Sequence, residues 1–121
     1  MNFKKVMVVD DSPTELHMVV EILKRHDVLN IVTANNGAEA IALAKAEKPD
    51  VILMDVVMPE MNGFMATRKI KKDPETANIP VIIISSKDQE TDKVWGKRQG
   101  ANEYLTKPVQ ENELVKVLES L

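Results

Sequence analysis

Val6-Met7-Val8-Val9-Asp10-Asp11-Ser12-Pro13-Thr14-Glu15 places an apolar run, an acidic pair and a helix start in direct succession. The four apolar residues do not alternate with polar ones. A strand of this kind belongs inside a parallel sheet, covered on both faces. Ser12 is suited to cap a helix, Pro13 to occupy its first position, and Glu15 to close a capping box three residues after the cap. Leu16, Val19, Val20 and Leu23 then recur at helical spacing and mark a buried stripe. The stretch therefore reads as strand, acidic loop, helix.

The same unit repeats along the chain. Ile31-Val32-Thr33-Ala34, Val51-Ile52-Leu53-Met54 and Val81-Ile82-Ile83-Ile84 read as further strands, with Glu103-Tyr104-Leu105 a weaker fifth. Between them lie helical segments. One runs from Gly37 to Ala46, bounded by Pro49. Another starts near Gly63 and stops before Asp73-Pro74. A third, the least apolar, runs from Gln89 to Gln99. The last presents Leu114, Val115, Leu118 and Leu121 as its inner face. Five strand–helix repetitions with short connections predict an α/β fold, an open doubly wound parallel sheet.

Composition agrees. The chain has 121 residues, 44% hydrophobic and 29% charged, which suits one domain spanning 1–121 and no separate output domain. Aromatics are only 3%, so the core must be aliphatic. There is no cysteine, which excludes a disulfide framework, a thiolate metal site and a cysteine nucleophile. No apolar run approaches the ~20 residues of a membrane span. The short apolar stretch after Met1-Asn2-Phe3-Lys4-Lys5 ends in acids and is no signal peptide. A cytoplasmic protein is expected. A net charge of −3 argues against general nucleic-acid binding.

Chemistry in such a sheet belongs at the carboxyl ends of the strands. The first strand ends in Asp10-Asp11, the third in Asp55, the fourth in Ser85-Ser86, and the fifth leads to Lys107-Pro108. Each residue alone has an ordinary explanation as a cap, a turn or a solvated side chain. Together they place three carboxylates, a hydroxyl and an ammonium at one edge. Three clustered acids repel one another unless a cation sits among them, and hard oxygen ligands suit Mg²⁺ or Mn²⁺. A metal, a lysine and a hydroxyl make a site for a phosphoryl group, with an aspartate as nucleophile.

The pattern Val9-Asp10-Asp11-Ser12, Met54-Asp55-Val56-Val57-Met58-Pro59-Glu60-Met61-Asn62-Gly63, Ser85 and Tyr104-Leu105-Thr106-Lys107-Pro108 resembles the receiver domain of two-component response regulators over essentially the whole chain. The resemblance implies a flavodoxin-like sheet of order 2-1-3-4-5 with five helices. It implies that Asp55 is the phosphoacceptor. Asp11 and, largely through water, Asp10 would hold Mg²⁺, with the backbone carbonyl of Val57 as a further ligand. Ser85 and Lys107 would each bond a phosphoryl oxygen, and Lys107-Pro108 would be a cis peptide. Tyr104 would be an aromatic switch that turns inward when Ser85 is drawn to the phosphate. The donor would be a phosphohistidine on a sensor kinase, and the protein would catalyse only its own phosphorylation and dephosphorylation. Ser85 stands where Thr is commoner in the family. Val57 and Lys87 occupy positions that vary and tune phosphoryl lifetime: Val57 cannot orient a water, and Lys87 adds a cation at the rim. Gly63 reads as a small, permissive residue in a turn or simply as a turn glycine.

A stand-alone receiver acts by binding. The surface expected for this is the face of the fourth helix, fifth strand and fifth helix, where Tyr104 lies, with Trp95, Lys93 and Lys97 as candidate contacts. Gly96 and the scarcity of apolar anchors suggest that the fourth helix is weakly held. Trp95 is equally suited to an interface or to packing on the sheet. Asp10-Asp11-Ser12-Pro13-Thr14-Glu15 and the segment Lys87 to Ala101 are similar to single-domain regulators of the chemotaxis-like system that controls type IV pili and twitching motility. That similarity implies a bacterial protein, a chemotaxis-type kinase as donor, a downstream target in the pilus machinery and a monomer. A phosphate sink for a shared kinase is the alternative role. An aspartyl-phosphate phosphohydrolase of the haloacid-dehalogenase class is disfavoured, because Ser12 stands where that class needs a second acid. A flavin carrier is disfavoured by acids in the first loop. A histidine phosphotransfer bundle is disfavoured by five strands; His17 and His26 read as surface residues.

Overall fold

The computed structural model describes Phe3 and residues 5–121; Met1, Asn2 and Lys4, part of the N-terminal stretch discussed above, lie outside them. The strands are β1 (Val6–Val9), β2 (Ile31–Ala34), β3 (Val51–Met54), β4 (Val81–Ser85) and β5 (Glu103–Thr106). The helices between and after them are α1 (Pro13–Arg25), α2 (Gly37–Glu47), α3 (Gly63–Lys72), α4 (Glu90–Arg98) and α5 (Glu111–Glu119). All pairings are parallel and the order is β2-β1-β3-β4-β5.

The continuously apolar strands serve two cores at once. Val6, Val8, Val51, Leu53, Ile82 and Ile84 join Val19 and Leu23 of α1 and Leu114 and Leu118 of α5 on one face. Met7, Val9, Ile52, Met54, Val81 and Ile83 join Ala40 and Ala44 of α2 and Phe64 and Ile70 of α3 on the other. Successive side chains point to opposite faces, so a strand covered on both sides must be apolar at every position. Among the described residues, no helix is long and apolar enough to cross a membrane.

Three local expectations need correction. The inner face of α5 is Leu114, Val117 and Leu118. Leu121 lies beyond the helix, which ends at Glu119, and is exposed; Val115, one position off the Leu114–Leu118 stripe, is only partly buried and packs against neither core. The capping box at α1 is half formed. Ser12 Oγ accepts from the Glu15 N–H at 3.4 Å, but the Ser12 N–H donates to Asp10 Oδ1 at 2.9 Å and not to Glu15. The Glu15 carboxylate is engaged by an ammonium, a stronger donor than a neutral amide. Gly63 is neither strained nor merely permissive: a Cβ there would lie 1.9 Å from the Asp55 carbonyl oxygen. The residue must be glycine because α3 begins directly against the end of β3, where the Gly63 N–H donates to the Val56 carbonyl at 2.9 Å.

Candidate functional site

The sheet order makes β1 the neighbour of both β2 and β3, so the direction of winding reverses at β1. At that point the carboxyl ends of adjacent strands diverge and leave a crevice. The Asp55 N–H donates to the Val9 carbonyl at 3.0 Å, which sets the end of β3 beside the Asp10-Asp11 turn. Asp10, Asp11 and Asp55 each bring an oxygen within 4.8 Å of the others. Asp10 and Asp55 are each only 5% exposed, whereas Asp11 opens to solvent. Buried carboxylates this close are costly as anions. Their oxygens, open on one side through Asp11, are a donor set that fits a hard divalent cation. The Val57 side chain is exposed on the loop that leaves Asp55.

Lys107 is the cation already present. Its ammonium donates to Asp10 Oδ2 at 3.0 Å, to Glu15 Oε2 at 2.6 Å and lies 3.1 Å from Asp55 Oδ1. An ammonium has three hydrogens, and three carboxylates surround this one. Burial alone would lower its pKa, but Glu15, Asp10 and Asp55 more than offset this and hold the lysine charged, above its ordinary range. Asp55 moves the other way. Burial first, and then the charge of Asp10, raise its carboxyl to about 6, with Lys107 and the Val56 N–H opposing. The Lys107–Pro108 bond is cis.

Ser85 and Tyr104 are joined through one backbone unit. Ser85 is fully buried, and its Oγ accepts from the Lys87 N–H at 3.1 Å. The Lys87 carbonyl accepts from the Tyr104 hydroxyl at 2.7 Å. The Tyr104 ring is half-buried and packs against the core shared by α2 and α3, and burial chiefly raises its pKa. It also lies against α4, where a Cβ on Gly96 would sit 3.0 Å from both Tyr104 Cδ2 and Ile83 Cδ1. Gly96 is the one buried residue of α4. The helix glycine thus permits close packing, and the helix has no apolar side chain embedded in the core.

Asp10, Asp11, Asp55 and Lys107 therefore meet at one crevice, with Ser85 at the end of β4 and Tyr104 linked to it. The four candidate contact residues divide. Lys93 and Lys97 line the same cleft as Tyr104, on one side of α4. Trp95 lines a different hollow with Phe64, Met65 and Arg68 of α3, on the other side. His17 is exposed; His26 is half-buried and pairs with Glu111 at 2.9 Å. Two contributors escaped the sequence. Glu15 looked like a capping residue, and the signal that could have revealed it was an acid in the first turn of the helix leaving the Asp10-Asp11 edge. Lys87 acts through its backbone, on which side-chain chemistry is silent.

Comparison with known proteins places this geometry. The profile of the response regulator receiver domain matches residues 6–119. The chain is 56% identical over 117 residues to Protein PilH of Pseudomonas aeruginosa PAO1, covering 97% of this chain and 96% of that one. In three dimensions it is similar to the chemotaxis protein CheY4 of Vibrio cholerae, with a TM-score of 0.88, 33% identity and 96% coverage of both chains. It is likewise similar, with a TM-score of 0.88 and 26% identity, to the receiver domain of sensor histidine kinase PA1611 of Pseudomonas aeruginosa PAO1; the two share 97% of this chain and 95% of that one. That structure carries a magnesium ion coordinated in its active-site cleft. An acidic crevice at the winding reversal, a lysine bridging it and a match over nearly the whole length have one reading: the chain belongs to the response regulator receiver domain family.

Proposed function

We propose that this protein is a response regulator that takes a phosphoryl group from a chemotaxis-type sensor histidine kinase onto Asp55 and thereby changes the surface it offers a partner. The observation that carries the reading is the position of Lys107, shared between Asp55 and Asp10 in a buried acidic crevice. An Asp55 oxygen attacks phosphorus while the bond to the donor's imidazole nitrogen breaks; the electron pair of that bond leaves with the imidazole. Phosphoryl transfer needs mostly positioning and charge stabilisation. Mg²⁺ or Mn²⁺, held by Asp10, Asp11, Asp55 and the Val57 carbonyl, would supply the countercharge for the phosphoryl oxygens. Lys107 keeps a hydrogen aimed at Asp55 and passes that contact to a phosphoryl oxygen. Ser85 already accepts from Lys87, so its own hydroxyl hydrogen is available to donate to another phosphoryl oxygen. Drawing Ser85 inward pulls on the Lys87 backbone and, through the Lys87 carbonyl, on Tyr104.

The partner surface is the cleft of Tyr104, Lys93 and Lys97 beside β5. No external substrate is turned over. The identity to PilH supports a role in type IV pilus and twitching-motility signalling. A monomer in the bacterial cytoplasm is part of the same proposal.

The test is intact mass after incubation with Mg²⁺ and acetyl phosphate, beside an Asp55→Ala control. A single base-labile phosphoryl adduct, absent from the control, is expected. No adduct from either acetyl phosphate or a chemotaxis-type kinase would overturn the reading. Its decay rate separates the two roles, since a phosphate sink sheds its group fast.

A further inference from the structure

We propose that the groove between α3 and α4 is a second docking surface, distinct from the Tyr104 cleft, and that its occupant is an acidic protein segment bearing a large apolar side chain. Two of the exposed large hydrophobic side chains, Met65 and Trp95, gather here, and Val94, which also borders the Tyr104 cleft, lies beside Trp95; each is exposed by 46–50%. Trp95 forms a ridge between two hollows. One, of about 270 Å³, lies between α3 and α4 and is shared with Phe64, Met65 and Arg68; the other, of about 320 Å³, lies along α4 and is shared with Thr91, Val94, Arg98 and one acid, Glu90.

The rim is cationic. α3 carries Arg68, Lys69, Lys71 and Lys72 and no acid, in a chain whose net charge is −3. Met65, Arg68, Lys69 and Lys72 are its exposed positions and share one face. Arg98 adds charge from the last turn of α4, whereas Lys97 faces the Tyr104 cleft. Lys71 is turned inward to the carbonyls of Ala77 and Ile79, but Arg68, Lys69, Lys72, Lys97 and Arg98 form no ion pair among the described residues. An apolar centre flanked by the acid-free cationic face of α3 and by Arg98, against the single acid Glu90, is the layout of a protein interface with an acidic partner. A nucleic-acid face would instead place its cations along a continuous track, and here the centre is apolar. Because α4 is common to this groove and to the Tyr104 cleft, an occupant of one bears on the other.

Trp95 is the single tryptophan of the chain, so its emission reports the groove directly. A phage-displayed library of random short peptides is selected on the intact protein, and the recovered peptides are synthesised. The expected peptides carry Asp or Glu around a large apolar residue. Their binding shifts Trp95 emission, and Arg68→Glu with Arg98→Glu weakens them at least about tenfold, while Lys93→Glu does not. In the free protein at low salt, iodide is expected to quench Trp95 more than caesium does. Calorimetry on Trp95→Ala gives the apolar share, with circular dichroism to show that each variant folds. Recovered peptides without acids, unchanged Trp95 emission, equal quenching by the two ions, tighter binding of a single-stranded oligonucleotide than of any peptide, or self-association abolished by Trp95→Ala would each overturn the proposal. All of these measurements use the unphosphorylated protein, so they can be read whether or not Asp55 accepts a phosphoryl group.

Discussion

Lys107 and Glu15 form a 2.6 Å ion pair across the crevice, from the loop after β5 to the first turn of α1. The pair is shorter than the contacts Lys107 makes with Asp10 and Asp55. Glu15 is therefore a tether on the lysine, one that a phosphoryl group on Asp55, as proposed, would have to share.

Glu15→Gln is expected to keep the shape of the tether and remove its charge. The Lys107 pKa then falls, since Glu15 is the foremost of the carboxylates that raise it. Reductive methylation with a ¹³C label, followed by an NMR titration of the lysine methyl signals, measures this. Global stability should change by no more than about 1 kcal/mol, because Glu15 is half exposed. A Lys107 signal that titrates as in the wild type would show that the tether carries no weight.

The elevated carboxyl of Asp55 makes stability depend on pH. Its folded value of about 6 lies above its ordinary 3.8, so the native state keeps the proton longer than the unfolded chain does. The contribution of this group to stability is greatest below about pH 4 and declines as pH rises through 6. In metal-free buffer, Asp55→Asn should thus be more stable than wild type at pH 7 to 8, by on the order of 2 kcal/mol, with no advantage near pH 4. Urea denaturation across the pH range checks both halves.

A divalent cation should reverse that penalty. With Mg²⁺ at a hundredfold excess over Kd, mass action adds roughly 2.7 kcal/mol to the folded state, and Tm rises by several degrees. Asp10→Ala with Asp11→Ala should abolish the rise, and chelation with EDTA should reverse it in the wild type. Differential scanning calorimetry with and without Mg²⁺ is the measurement; an unchanged Tm in the wild type would remove the cation from the site.

Gly63→Ala should damage fold and site together. Its Cβ meets the Asp55 carbonyl oxygen at 1.9 Å, and that neighbour is backbone, so the start of α3 must move away from β3. A loss on the order of 2–4 kcal/mol is expected in denaturant. Adduct formation from acetyl phosphate should slow at least about tenfold, because Asp55, the proposed acceptor, is displaced. An alanine variant as stable and reactive as wild type would mean that the contact relaxes freely.

Much of the fold was legible because its signals are local. The runs Val6–Val9 and Val51–Met54 are apolar throughout since both faces are covered, and no other element explains such short runs beside capped helices. The start of α3 at Gly63 and its end before Asp73 were equally plain. The sheet order came from family resemblance, since periodicity says nothing about which strands touch. What stayed hidden depends on distant partners. Glu15 satisfied a local capping rule, and only the approach of Lys107, 92 positions away, diverts it. Leu121 continued the helical spacing of α5, but the helix had ended. Trp95 and Tyr104 looked like neighbours on one face until the packing of Gly96 against Ile83 and Tyr104 fixed the rotation of α4 and divided them.

The Gly96 contact also sets the energetic scale of signalling. A helix whose one fully buried residue is a glycine uncovers less hydrocarbon when it slides or tilts than one anchored by buried side chains, so its repositioning carries a reduced hydrophobic penalty. The Tyr104–Lys87 hydrogen bond and the ring's contact with the core add to what holds the loop that leads into α4. Two α4 placements can thus lie close in free energy, and a modest chemical input suffices to exchange their populations.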